Sequence, residues 1–165
     1  MSMNWPGFPP ERLTQDPLER RLYARDLAPV PALMVDPFFR TLPEAVVRPA
    51  DAAEAAEAVR HAVREKLPVT PRAAASTSYY NAVPVRGGIV LDVNDLRDGI
   101  ALDPARQTVR VGPATTWFEL DDQLQLRGHA ARAYPSSAIA ATVGGWISMQ
   151  GHGLGSLLHG GVGEH

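Results

Sequence analysis

Two stretches of this chain combine side chains and backbone of the kind that hold a phosphorylated ligand. The first, Arg72-Ala73-Ala74-Ala75-Ser76-Thr77-Ser78-Tyr79, places a guanidinium and a run of hydroxyls between two short apolar segments, Leu67 to Thr70 and Gly88 to Asp92. A loop between strands is a common seat for a phosphate, although such loops are usually rich in glycine, and none occurs here between Pro71 and Pro84. The second stretch orders Pro135, Ser136 and Ser137, then Thr142, Gly144 and Gly145, then Gly151, Gly153, Gly155 and Ser156. Thr142 to Gly145 reads as the start of a helix whose free N–H groups face an anion, with glycines that let a ligand touch the backbone. The competing reading is architectural, because glycines also permit tight turns and close helix packing.

Other chemistry finds little support. The chain has no cysteine, which removes disulfides, thiolate nucleophiles and cysteine-type metal sites. His152, His159 and His165 lack helical i, i+4 spacing and a carboxylate partner, so they read as loop histidines and no metal site is expected. Asp121-Asp122 reads as the solvated side of a helix, and no catalytic residue is singled out. With 16 basic and 18 acidic side chains and no basic block, nothing points to nucleic acid or an anionic membrane. No apolar run approaches the ~20 residues of a membrane helix, and the N-terminus has no signal-like core, so a soluble cytoplasmic protein is expected.

The elements that must position these stretches follow from punctuation and periodicity. Residues 1–42, rich in proline and arginine, read as an extended arm with one or two short helical turns. Ala45 to Pro49 reads as a strand stopped by proline. Asp51 and Glu54, in capping-box spacing, open a helix burying Ala52, Ala55, Ala56, Val59, Ala62 and Val63, with Arg60, Arg64, Glu65 and Lys66 towards solvent. Strands at 68–70 and 88–92 flank the first stretch and complete a β-α-β-loop-β lobe over 43–104. Leu102-Asp103-Pro104 reads as a turn, Thr108 to Gly112 as a half-buried strand, and Thr116 with Glu119 as the cap of a helix burying Phe118, Leu120 and Leu124 and stopping at Gly128. Trp117 and Trp146 are expected in the core or at a lobe interface. The glycine-rich segment closes a second region, 105–165, which ends without a further strand and reads as a fragment or a domain completed by another chain.

From Val46 to about Gly161 the chain resembles the N-terminal half of the FAD-binding domain of FAD-linked oxidases of the p-cresol methylhydroxylase and vanillyl-alcohol oxidase type. It is most similar to the glycolate oxidase and D-lactate dehydrogenase branch. VVRPADAAEAAEAVRHAVREKLPVTPR, GGIVLDVNDLRDGIALDP, TVRVGPATTWFELDDQL and YPSSAIAATVGGWISMQGHGLGS carry the resemblance, in family order. It implies an α+β fold in which a β-α-β-β lobe and the incomplete start of a mainly antiparallel lobe hold FAD between them. The loop after the second strand would wrap the pyrophosphate, and the proline-serine and threonine-x-glycine-glycine segments would hold the rest. Ala73, Ala74, Ala75, Ser78, Tyr80 and Asn81 stand where that family carries glycine, whereas Arg72, Tyr79 and Ala82-Val83-Pro84 follow its pattern. The replacements predict an altered loop path and a weakened hold on FAD, since a side chain at φ > 0 costs about 1–2 kcal/mol. The loop has no histidine or cysteine for a flavin link, so the FAD implied is non-covalent.

Two functions are therefore expected to compete. One is the FAD-binding portion of an oxidoreductase similar to those acting on 2-hydroxy acids, inactive alone and completed by a second polypeptide carrying the rest of the FAD domain and a cap domain, or assembled as a homo-oligomer. The other is a non-catalytic scaffold or assembly subunit that has lost the flavin. Binding of another nucleotide or anion at the same place is a third.

Overall fold

The computed structural model describes Trp5, residues 8–35 and residues 37–164; sequence-based expectations falling on Met1 to Asn4, Pro6, Gly7, Asp36 and His165 lie outside the described residues. The chain divides into two compact units, Met1–Asp95 and Leu96–His165. The arm thus belongs to the first unit, and the division precedes the turn at Leu102 to Pro104.

In the first unit a 3₁₀ turn, Pro10–Arg12, leads into strand β1 (Leu13–Thr14), helices α1 (Pro17–Leu22) and α2 (Ala32–Val35), strand β2 (Ala45–Val47), helix α3 (Ala52–Arg64), and strands β3 (Val69–Arg72) and β4 (Ile89–Asp92). The sheet order is β1-β2-β4-β3, with β1 antiparallel to β2 and the other pairs parallel. Parallel strands covered on both faces read as continuous apolar runs, and β2 and β4 are buried at every position. Ala45, Val47, Ile89 and Leu91 pack with Ala58 and Ala62 of α3 and with Trp5 and Phe8 of the arm. The ring of Trp5 stacks on buried His61 at 4.0 Å between centroids.

The face of α3 differs from the sequence expectation. Asp51 caps it as expected, its side chain accepting from the Glu54 N–H at 2.8 Å. However, Ala58, His61 and Ala62 point inward, while Val59 and Val63 are exposed. With alanine or valine at most positions from 52 to 63, two stripes of nearly equal hydrophobicity overlap, and the one carrying His61 seats against Trp5. Strand β3 also runs further than expected, through Pro71 and Arg72, because it pairs with β4 up to Arg72 opposite Asp92. The arm contributes an edge strand, a role its short segment Leu13–Thr14 does not announce.

The second unit opens with a hairpin of β5 (Ala101–Asp103) and β6 (Thr108–Arg110), so the expected turn is the loop of a strand pair. Helix α4 (Trp117–Gln125) carries the Thr116–Glu119 capping box and buries Trp117, Leu120 and Leu124; Phe118 is exposed, contrary to expectation. Helix α5 (Val143–Ser148), helix α6 (Ser156–His159) and a 3₁₀ turn, Val162–Glu164, follow. Trp117 and Trp146 meet edge to face at 5.0 Å in this unit's core. Among the described residues no helix is long and apolar enough to cross a membrane.

Candidate cofactor-binding site

Ligands of open parallel sheets sit beyond the carboxyl ends of the strands. The register here places Val47 opposite Leu91 and Arg72 opposite Asp92, which brings Arg48, Arg72 and Asp92 to that end of the sheet. Asp92 is buried, and its carboxylate organises the neighbourhood. Its Oδ2 accepts from the Tyr23 hydroxyl at 2.5 Å and lies 3.8 Å from Arg48 Nε; its Oδ1 accepts from the N–H and the side-chain amide of Asn94 at 3.0 and 2.8 Å. Arg48 Nη2 also donates to the Tyr23 hydroxyl and to Glu19. Burial pushes the Tyr23 phenol above its ordinary value, and the hydrogen bond to Asp92 acts in the same direction.

The expected pyrophosphate loop starts from this end. Arg72 Nη1 donates to the carbonyls of Tyr23, Arg25 and Ala82 at 3.4, 2.6 and 3.2 Å, and its guanidinium lies 5.1 Å from the Tyr23 ring centroid. Burial lowers its pKa, while Tyr23, Asp92 and Asp26 oppose that shift. Among the described residues, no backbone N–H from Ala73 to Ser78 donates a hydrogen bond, nor do the hydroxyls of Ser76 and Ser78 have a partner. The loop's carbonyls are engaged instead: Ala73 O accepts from Asn94 at 3.2 Å and Thr77 O from the Leu27 N–H at 3.1 Å. Tyr79 is exposed, and Ala82, Val83 and Pro84 anchor the exit in the core.

The loop does not avoid the left-handed region as its missing glycines predict. Ala75 has φ of 51° and Tyr80 φ of 65°, so two of the six replaced positions hold the conformation that glycine favours. Anion-binding concavities are built from successive backbone N–H groups in which a left-handed residue alternates with a right-handed one. Unpaired amides are the donors a diphosphate requires, and those of Ala73 to Ser78 are unpaired among the described residues.

The second unit corrects the expectation of an open helix start. The N–H groups of Val143, Gly144 and Gly145 are taken by Thr115 O, Pro113 O and Thr142 Oγ1 at 2.8, 2.9 and 3.3 Å. A Cβ on Gly144 would come within 2.6 Å of the Pro113 side chain, so that glycine is required by packing. Gly155, at φ +86°, faces Arg132 O, where a Cβ would stand 2.0 Å away. Gly151 and Gly153 are likewise filled by protein, against Trp146 and Tyr134, and Ser156 Oγ accepts from the Gly153 N–H. The Tyr134–Leu154 bridge brings the two ends of the segment together. What stays open is the turn after buried Pro135, where Ser136 and Ser137 are exposed and their hydroxyls have no partner among the described residues.

Comparison with known proteins fixes the family. Residues 43–165 match the family described as FAD binding domain. The chain belongs to this FAD-binding-domain family. It is 23% identical over 151 residues to glycolate oxidase subunit GlcD of Bacillus subtilis, covering 92% of the chain and 30% of that relative. It is 30% identical over 131 residues to D-2-hydroxyglutarate dehydrogenase of Escherichia coli, covering 77% of the chain and 13% of that relative. A solved structure of alkyldihydroxyacetonephosphate synthase superposes with a TM-score of 0.79 at 22% identity, over 95% of this chain and 30% of that one. For p-cresol methylhydroxylase the values are 0.69 and 19%, over 86% and 27%. The α+β fold of this FAD-binding domain is thus of the p-cresol methylhydroxylase type, and the chain spans less than a third of the length of these relatives.

Sequence reasoning passed over Tyr23, Arg48, Asp92 and Asn94. A signal was present for two of them: Arg48 directly follows Val46-Val47, and Asp92 closes Ile89-Val90-Leu91, so each is a charge on the end of an apolar strand. Tyr23 lies in the arm, outside the family-matched residues.

Proposed function

We propose that this chain is the N-terminal FAD-binding portion of an FAD-linked oxidoreductase acting on a 2-hydroxy acid, with FAD held non-covalently. The observation that carries this reading is the run of unpaired N–H groups from Ala73 to Ser78 at the carboxyl end of the sheet, in a chain of the FAD-binding-domain family. Those amides hold the diphosphate, and the cationic Arg72 at the loop's start favours its charge. The two relatives named above, a glycolate oxidase subunit and a D-2-hydroxyglutarate dehydrogenase, support the substrate class. FAD when bound supplies the hydride acceptor, and the chain's own residues bind and orient it.

In this reading the substrate-contacting residues lie beyond this FAD-binding portion, in the rest of the oxidoreductase, and this portion is expected to bind FAD without turnover. An apolar groove of about 620 Å³ in the second unit, lined by Leu102, Val109, Trp117, Leu120, Val143 and Val162, supports such a completing contact.

A specific observation favours the scaffold as a second reading. Arg72 already spends three hydrogen bonds on main-chain carbonyls, and the α5 amides are used within the protein. One experiment separates the two. Purified protein incubated with FAD and then gel-filtered should be yellow and release FAD on heating; a colourless protein after saturation with FAD would refute the cofactor reading.

A further inference from the structure

Residues 43–165 account for the family match, yet the candidate cofactor loop is held largely by residues that precede that match. Three contacts come from a short span of the arm. The Tyr23 and Arg25 carbonyls accept from Arg72 Nη1, fixing the loop's first residue. The Leu27 N–H donates to Thr77 O, fixing its middle. Tyr23 also acts through its hydroxyl, because that group donates to Asp92, Asp92 orients Asn94, and Asn94 donates to Ala73 O. Arg72 closes the loop on itself through Ala82 O.

Every one of these contacts uses a loop carbonyl or the Arg72 side chain, and none uses an N–H of Ala73 to Ser78. The arm thus restrains the loop from its acceptor side and leaves its donors free. The restraint matters here because Ala75 and Tyr80 sit in a left-handed conformation that their side chains disfavour by about 1–2 kcal/mol each in isolation. Such residues persist only where the surroundings over-determine them.

We propose that the arm segment Tyr23 to Leu27 is the brace that holds this loop in its ligand-ready form, with Tyr23 a positioning residue. The proposal rests on the cofactor reading for its purpose, though not for its geometry. It commits the arm to helping cofactor binding rather than blocking it.

The test uses the full chain and three variants. Tyr23→Phe removes the hydroxyl from Asp92 and Arg48 while keeping the ring and carbonyl. Leu27→Pro deletes the N–H that reaches Thr77, and Leu27→Ala keeps that N–H while trimming an exposed side chain, so it should restore wild-type behaviour. Chymotryptic cleavage between Tyr79 and Tyr80 in cofactor-free protein reads the loop directly, and thermal unfolding confirms that each variant is folded. Tyr23→Phe and Leu27→Pro should each be cut faster than wild type and bind FAD ~10-fold more weakly, the loss typical of one hydrogen bond to a charged or strained partner.

Cleavage rates unchanged in both folded variants would overturn the brace. Tighter FAD binding by them would also overturn it and make the arm an inhibitory strap. A wild-type chain that takes up no FAD, with variants cut faster, would refute the cofactor reading and leave the brace standing. Should Leu27→Pro fail to fold, Tyr23→Phe alone decides.

Discussion

A single methyl group at residue 75 carries a testable cost. Ala75 is left-handed, whereas its neighbour Ala74 is not, so the same exchange should act in opposite directions at adjacent positions. Ala75→Gly relieves about 1–2 kcal/mol of backbone strain against the greater freedom of glycine in the unfolded chain, for a net gain of roughly 0.5–1 kcal/mol. Ala74→Gly should lose about 0.5 kcal/mol, having only the entropic penalty. Urea unfolding of the two variants checks the sign. Tyr23 gives a second residue-level test. Its phenol is held above the ordinary 10.0, chiefly by burial, so the proton is bound more tightly in the folded chain. The stability this contributes is complete below pH 10.0 and is lost as pH rises from there through the folded value. Tyr23→Phe should therefore flatten the alkaline fall in unfolding free energy.

At the scale of single elements, α4 depends on its start. Thr116 Oγ1 accepts from the Glu119 N–H at 3.1 Å, and Glu119 Oε2 accepts from the Thr116 N–H at 2.8 Å. Thr116→Ala should cost about 1 kcal/mol in thermal or urea unfolding. The backbone hydrogen bond from Thr116 holds the Glu119 carboxyl below its usual 4.5, so this contribution is present above pH 4.5 and fades as pH falls through the lowered value. This cap, like that of α3, was legible in the sequence because both partners lie within one turn. The inward face of α3 was not, because near-uniform alanine and valine leave the rotation to tertiary packing, here by Trp5 on His61. The same division holds for the candidate site. The loop's place after β3 could be read from flanking apolar runs, but its restraint could not, since Tyr23 and Asp92 are 69 residues apart and neither lies in a periodic pattern. The free-amide reading of Thr142 to Gly145 fails because two of the three acceptors, Pro113 O and Thr115 O, come from a distant segment, the third being the Thr142 side chain itself.

For the whole molecule, the arm joins the first unit as sheet, core and loop support together. Strand β1 covers the β2 edge, and Trp5 and Phe8 belong to the same buried cluster as Ile89 and Ala62. A chain beginning at residue 43, where the family match starts, would expose the Val46–Val47 edge and leave that core short of two aromatic rings. Open edges pair with other chains, so such a truncation should aggregate, or lose near-ultraviolet dichroism, under conditions where the full chain stays dispersed; light scattering distinguishes the two. The stacked Trp5 has an optical consequence as well. The other two tryptophans, Trp117 and Trp146, form their own pair in the second unit. With phenylalanine at both of those positions, the remaining indole emission becomes a private signal of the arm seated on α3, and its change with denaturant would time the arm's departure separately from the melting of the second unit.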